Sequence, residues 1–202
     1  MEPFSPRMAR LVRALQALPG VGSKTASRIA LHLVHKDRSG GEALADALHD
    51  AVANTTVCKK CRNISDVEVC GLCANEKRDA KQLCVVETPA DVVAIERSGG
   101  YSGRYFVLHG HLSPIDGVGP SELGVEVMSA RVKTEGISEV IVATSTTAEG
   151  EATAIYISDM FEESDVVVSR IAHGVPVGGE LEYVDMSTIS HALRGRKPID
   201  SG

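Results

Sequence analysis

Tryptophan is absent from the 202-residue chain, and aromatic residues make up only 3% of it. Stacking of bases on an aromatic platform is therefore excluded as its principal chemistry. No run approaches the roughly 20 apolar residues that a membrane-crossing helix needs. Residues Met1–Arg10 carry charge without the apolar core of a signal peptide, which predicts an intracellular protein. Internal repeats and low-complexity tracts are missing as well. What remains is ordinary in bulk, with 43% hydrophobic and 24% charged residues, a composition that excludes disordered, collagen-like and coiled-coil chains. The length predicts one or two compact domains.

Charge is unevenly spread. The first 38 residues hold seven Lys or Arg (Arg7, Arg10, Arg13, Lys24, Arg28, Lys36, Arg38) against Glu2 and Asp37, whereas the other 164 hold 14 basic against 25 acidic residues. The net charge of −6 thus conceals a basic end on an acidic body, and a polyanion is expected to meet the N-terminal segment.

Apolar spacing predicts three short helices at the start. Leu11, Leu15 and Leu18 recur on one face before Pro19-Gly20. A second run starts at Ser23, a suitable N-cap, and carries Ile29, Ala30, Leu33 and Val34. A third starts at Ser39, where Glu42 completes a capping box. From Lys81 the pattern changes to apolar, β-rich runs at Leu83–Val86, Tyr105–Leu108, Val140–Thr144 and Val166–Val168, with a further strand expected at Leu181–Val184. Helical stretches at Ala90–Arg97, Ser121–Glu135 and about Glu149–Phe161 lie between them. Strands apolar on both faces and alternating with helices predict a mainly parallel sheet covered by helices. The tail from Ser190, with Arg194-Gly195-Arg196-Lys197-Pro198, reads as a mobile or partner-bound end. Gly174, Gly178 and Gly179 around Pro176 mark turns.

Four of the five cysteines form two C-x-x-C pairs, Cys58/Cys61 and Cys70/Cys73, eight residues apart. Each pair can give two thiolates to one ion, and four sulfurs close a tetrahedral shell at about 2.3 Å. A closed shell leaves no place for water, so one structural Zn2+ per chain is expected, with iron or redox-active thiols as the alternative. Cys84 falls in a strand and reads as a small core residue.

The segment Leu18-Pro19-Gly20-Val21-Gly22-Ser23-Lys24 joins the first two helices. Gly20 and Gly22 allow a tight hairpin whose amides face outward at a helix start, where a phosphate is attracted. Lys24 and Arg28 are four apart and share a helix face. This is a helix-hairpin-helix pattern, suited to DNA backbone rather than to base edges; the plainer reading is a helical hairpin with a solvated basic face or a self-association role. Gly20–Thr25 is not a P-loop, because Ser23 separates Gly22 from Lys24 and a helix precedes the loop.

Glu87 follows the first strand, and Glu149-Gly150-Glu151 follows a later one and opens a helix. Carboxylates at neighbouring strand ends could share Mg2+; equally, both glutamates of the turn could simply stabilise a helix N-terminus. His109 and His111 lack a third ligand and read as polar loop residues.

Taken together, LPGVGSKTASRIALHL, the four-cysteine site, VVETPADVVAIE, HGHLSPIDGVGP, AEGEATAIYI and RIAHGVPVGGELEYVD resemble the bacterial recombination mediator family RecR over nearly the whole chain. The resemblance implies a multi-part α+β, α/β chain: a helix-hairpin-helix region for DNA and oligomerisation (1–54), a four-cysteine zinc finger (55–79), a Toprim domain with a mainly parallel sheet (80–175) and a C-terminal strand and helix segment with a tail (176–202). It implies DNA repair and recombination in the bacterial cytoplasm at the nucleoid, with RecO, RecF and further copies of the chain as partners, loading of RecA, and rings able to encircle DNA. Gly20, Gly22, Lys24 and Arg28 fall where the family meets DNA. Catalytic Toprim domains carry a glutamate, a later D-x-D and often E-G-E. Glu87 matches the first and Glu149-Gly150-Glu151 the last, but Ser145-Thr146-Thr147 stands in the D-x-D place, departing even from the Asn-Pro-Thr usual in RecR-like chains. With both aspartates gone, much of the charge needed for two catalytic cations is lost. The resemblance therefore implies a scaffold rather than an enzyme, with a magnesium-dependent nuclease or strand-transfer enzyme using Glu87, Glu149 and Glu151 as the alternative.

Overall fold

The computed structural model describes residues 4–172, 174–196 and 198, in two compact units that meet in sequence at Thr55/Thr56. In the first unit, Ser5 accepts from the Met8 N–H and Pro6 takes the first helical position, where its missing N–H would have no partner in any case. Helix α1 spans Pro6–Gln16. Helix α2, Ser23–Leu31, starts from Gly22 as N-cap, so Ser23 lies inside it rather than capping it. One π-helical turn, His32–Lys36, extends α2 before α3, Arg38–Asn54. The capping box expected at Ser39 and Glu42 does not form. Asp37, two residues earlier, accepts from the Gly40 N–H at 2.9 Å and from the Ser39 hydroxyl at 3.2 Å, and a carboxylate is the better partner for a positive helix start. Among the described residues of this unit only Ala9, Ala26 and Ala30 are buried. An apolar groove of about 480 Å³, lined by Leu11, Leu15, Leu18, Val34, Leu44 and Leu48, runs beside α3.

The second unit begins with an antiparallel pair, β1 (Thr56–Val57) and β2 (Ile64–Ser65), followed by the short helix α4 (Gly71–Ala74). The main sheet has the order β4-β3-β5-β6 and is parallel throughout, from β3 (Asp79–Val86), β4 (Gly103–Val107), β5 (Glu139–Ala143) and β6 (Val167–Arg170). Helices α5 (Pro89–Ser98), α6 (Pro120–Leu123), α7 (Val125–Glu135) and α8 (Ala148–Met160) connect the strands. Leu83 to Val86 are all buried, as central strands covered on both faces require. One core gathers Leu83, Val85, Phe106, Leu108, Met128, Val140 and Ile157, while Val86, Val92, Tyr105 and Val107 pack with the cysteines into another.

Three further expectations are corrected. The single helix Ser121–Glu135 breaks at Gly124, which takes a left-handed conformation between α6 and α7. Leu181–Val184 is not a strand: Leu181–Tyr183 forms a 3-10 turn, with Leu181 and Tyr183 exposed and, among the described residues, no strand beside it to pair with. Helix α9, Met186–Arg194, carries order past Ser190; Lys197 of the expected tail lies outside the described residues. The turn around Pro176 is present, with the Gly179 N–H donating to the Pro176 carbonyl at 3.0 Å.

Candidate metal centre and nucleic-acid interface

The cysteines are brought together by two tight local turns. The Cys58 N–H donates to the Asn63 carbonyl and the Arg62 N–H to the Cys58 carbonyl, both at 2.8 Å, which folds the first pair into a knuckle beside β1 and β2. Cys70 caps α4, which carries Cys73. All four sulfurs are buried and lie within 4.8 Å of one another. A tetrahedral ion with Zn–S of about 2.3 Å spaces its sulfurs about 3.8 Å apart, so the donor set and its size fit. The Cys70 N–H already points at Cys58 Sγ, at 3.3 Å, as outer-sphere donors to metal thiolates do. A hydrogen bond from Cys61, together with the charge of Arg131, draws the Cys73 thiol below its ordinary value. Cys84 packs against this cluster as a buried residue, its thiol pushed up to about 12 by burial.

The cysteine module is bonded onto the edge of the parallel sheet. The Val107 N–H donates to the Cys61 carbonyl at 2.8 Å. Buried Arg131 of α7 reaches both the Lys60 carbonyl, at 2.9 Å, and the Tyr105 carbonyl, at 2.8 Å, and its Nε is paired with Glu135 at 3.2 Å. Arg62 donates to the carbonyls of Leu123 and Glu122. Arg62 and His109 both have positive φ, and the His109 ring bonds the Arg62 carbonyl at 2.6 Å, which places the ring proton on Nε2. No spacing rule in the sequence points to Arg131, Arg62 or His109, because their partners lie far along the chain.

The carboxylates expected at the strand ends have separate fates. Glu87, just past β3, accepts from the Ser145 N–H at 2.8 Å and lies 3.5 Å from His111 Nδ1. Thr147 caps α8 through the Gly150 N–H, and Glu149 and Glu151 both sit in that helix's first turn. Gly150 is needed for close approach, since a Cβ there would strike the Ser145 carbonyl. Glu151 pairs with Arg170, whose Nη2 also donates to the Ser145 carbonyl at 2.9 Å. Glu87, Ser145, Arg170 and Glu151 thus form one network, whereas the Glu149 carboxylate is exposed and outside it. Arg170 is a residue that motif reading passed over, although it opens the quoted segment RIAHGVPVGGELEYVD. Among the described residues, only the four cysteines form a group of three or more ligand types close enough to share an ion.

In the helical unit, the Val21 N–H donates to the Leu18 carbonyl and Gly20 turns the chain with φ +77°. No side chain caps the start of α2, so its first amides stay open to an outside acceptor. A Cβ at Gly22 would meet no atom within 4 Å, and its φ of −76° suits any residue; nothing inside the chain demands a glycine there. Lys24 and Arg28 are exposed, and neither side chain has a hydrogen bond or ion pair among the described residues.

Family models match along nearly all of the chain: the RecR helix-hairpin-helix at 8–52, the RecR four-cysteine zinc finger domain at 55–75, the Toprim domain at 81–172 and the RecR C-terminal region at 174–197. The chain is similar to proteins named Recombination protein RecR. It is 55% identical to that of Pseudomonas putida over 197 residues, covering 97% of this chain and 98% of the relative. Identity is 52% over 196 residues for Saccharophagus degradans (97% and 100%) and 53% over 190 residues for Methylococcus capsulatus (94% and 96%). No helix of the described residues is long and apolar enough to cross a membrane.

Proposed function

The chain belongs to the RecR family of recombination proteins, and on that footing we propose that it is a non-catalytic, DNA-binding mediator of recombinational repair that works with RecO and RecF to help load RecA onto single-stranded or gapped DNA. Residues 1–54 bind DNA and join subunits, 55–79 carry one structural Zn2+ on Cys58, Cys61, Cys70 and Cys73, 80–175 form a Toprim scaffold, and 176–202 complete the C-terminal segment. It acts in the bacterial cytoplasm at the nucleoid. The observation that carries the DNA reading is the exposed Lys24 and Arg28 pair at a helix start without a side-chain cap. Gly20 and Gly22 let a phosphate approach those open amides. The contact is with backbone, so binding is insensitive to sequence and falls steeply with salt.

Self-association into dimers or ring-like tetramers is supported by the apolar groove of the helical unit, which leaves Leu18, Leu44 and Leu48 more than half exposed in the single chain. A scaffold role for the Toprim region is supported by Arg170, whose guanidinium takes up Glu151 and the Ser145 carbonyl at the place where cation charge would be required in a catalytic relative. Any Mg2+ at Glu87, Glu149 and Glu151 would have to compete with that arginine.

A gel-shift series on labelled gapped DNA, with Mg2+ present and salt varied, tests the reading. Retarded, intact DNA whose retardation fades with salt is expected, and Lys24→Ala with Arg28→Ala should flatten the log–log salt slope by about two. Unchanged binding in that variant would remove the proposed contact surface. Mg2+-dependent shortening of the DNA that disappears in Glu87→Gln would overturn the non-catalytic reading.

A further inference from the structure

The cationic surface does not stop at Arg28. Lys24, Arg28, His32 and Lys36 are spaced four apart along one continuous helical run, α2 and the π-helical turn that extends it. In an α-helix a step of four overshoots one turn, so such a row drifts around the axis. Here the Asp37 N–H donates to the His32 carbonyl, an i to i+5 bond of 2.9 Å, and the wider turn brings the last step back toward the row. Arg28, His32, His35 and Lys36 line one open concavity of about 670 Å³ together with Thr25 and Ile29. Arg28, His32, His35 and Lys36 are all exposed.

The lining of that concavity holds no carboxylate, so the groups facing His32 and His35 there are the cations Arg28 and Lys36. Asp37, next in sequence, spends its carboxylate on the start of α3. The apolar groove proposed for self-association is lined by Leu11, Leu15, Val34, Leu44 and others, and contains neither His32, His35 nor Lys36. Both concavities have apolar walls and share Leu33, but they differ in charge: the first adds the cations Arg28 and Lys36 with no carboxylate, whereas the groove sets Arg38 beside Glu42.

We infer that His32, His35 and Lys36 extend the phosphate-binding surface beyond Lys24 and Arg28, and that the two imidazoles make DNA affinity rise as pH falls through the histidine range. The inference rests on the DNA-binding reading of α2. A phosphodiester beside an imidazole favours its protonated form, so DNA binding takes up protons. Each imidazole that becomes charged against a phosphate adds roughly one released counterion, with a slope contribution of about 0.7 on single strands and about 0.9 on duplex.

The test is a set of DNA-binding isotherms on gapped DNA at pH 6.0 and pH 8.0, each over a salt series, using the full-length zinc-loaded chain. For the unaltered chain, severalfold tighter binding and a salt slope steeper by about one to two are expected at pH 6.0. His32→Gln with His35→Gln should lose that difference between pH values. His32→Arg with His35→Arg should bind with the steeper slope at both. Lys24→Ala with Arg28→Ala should weaken binding at both. An unaltered chain that binds in a salt-dependent but pH-independent manner would overturn this inference and leave the DNA-binding reading standing. So would a pH effect that persists undiminished in the glutamine variant. Failure of the unaltered chain to bind DNA at all would instead remove the reading beneath it. Circular dichroism of each variant confirms that the exposed substitutions leave the helices intact.

Discussion

The helical unit and the sheet unit are built to different degrees of self-sufficiency. Up to Thr55 only three alanines are buried among the described residues, while Leu18, Leu31, Leu44, Leu48 and Val52 stand largely in solvent. Beyond Thr56, four parallel strands bury Leu83 to Val86, Tyr105 to Leu108, Val140 and Val142, and a metal-ready cysteine cluster is packed against them. Burial of apolar area is the main force that orders a chain, at roughly 25 cal/mol per Å². The first unit therefore leaves much of its apolar surface uncovered in the single chain, and the second has used its own internally. The lesson is that an open hydrophobic face and an open cationic face on one small unit fit a part that assembles and binds, whereas the sheet unit fits a part that holds shape.

The comparison breaks most severely if the cysteine cluster is dispensable. Chelation, or Cys61→Ser, should unfold the sheet unit, because structural zinc contributes on the order of 10 kcal/mol, comparable to the whole stability of a domain. Metal analysis should give one zinc per chain, and a chelator that leaves the melting curve unmoved would contradict the structural role. Next in size, Phe106→Ala should cost about 3–5 kcal/mol in denaturant unfolding, while Leu48→Ala should cost less than about 0.5 kcal/mol. Leu44→Asp with Leu48→Asp should show itself in sedimentation as loss of self-association, not in the melting of the single chain; unchanged assembly would leave the apolar groove without its proposed partner.

A pH experiment sharpens the picture within the sheet unit. Arg78 donates twice to Glu96, at 2.6 and 3.0 Å, and Tyr105 donates once, at 2.6 Å. The Arg78 hydrogen bonds, and after them that of Tyr105, hold the Glu96 carboxyl below its ordinary value. A depressed carboxyl stabilises the fold above its unfolded value of about 4.3, and that contribution is lost as pH falls through the lower native value. Glu96→Gln should therefore lose about 1–2 kcal/mol at pH 7, and its stability should begin to converge with that of the unaltered chain below about pH 4 and meet it below the native value. A deficit independent of pH would mean that packing, not charge, is at stake. The smallest effect on folding is expected at Gly22→Ala: less than about 1 kcal/mol, because the site is empty and only a modest N-cap preference is lost. The same variant should weaken DNA binding, since the methyl group stands where a phosphate would approach.

Much of this architecture was legible because it depends on local rules. Four-cysteine spacing, contiguous apolar strands and a glycine hairpin between helices are short-range patterns, and the structure realises all three. The errors have equally local causes. Leu181–Val184 has the side chains of a strand but, among the described residues, no strand beside it. Ser39 was a good cap placed two residues after a better one, Asp37. Gly124 ended a helix that hydrophobic periodicity alone would continue. The network around Ser145 could not be read from spacing at all: Glu87 lies 58 residues from Ser145 and Arg170 lies 19 from Glu151, so only the sheet brings them together.

The bonds between the cysteine module and β4 have a consequence for solubility. As the first strand in the order β4-β3-β5-β6, β4 would offer its outer N–H and C=O groups to any passing chain. Three of those groups are already occupied: the Gly103 carbonyl by Arg78 Nε at 2.7 Å, the Tyr105 carbonyl by Arg131, and the Val107 N–H by the Cys61 carbonyl. The cysteine knuckle thus covers the Val107 N–H of the sheet's flank, and Arg78 and Arg131 cover the two carbonyls. The unfolding expected on chelation would expose these β-rich apolar segments, and the product to expect is intermolecular β-aggregate rather than soluble monomer.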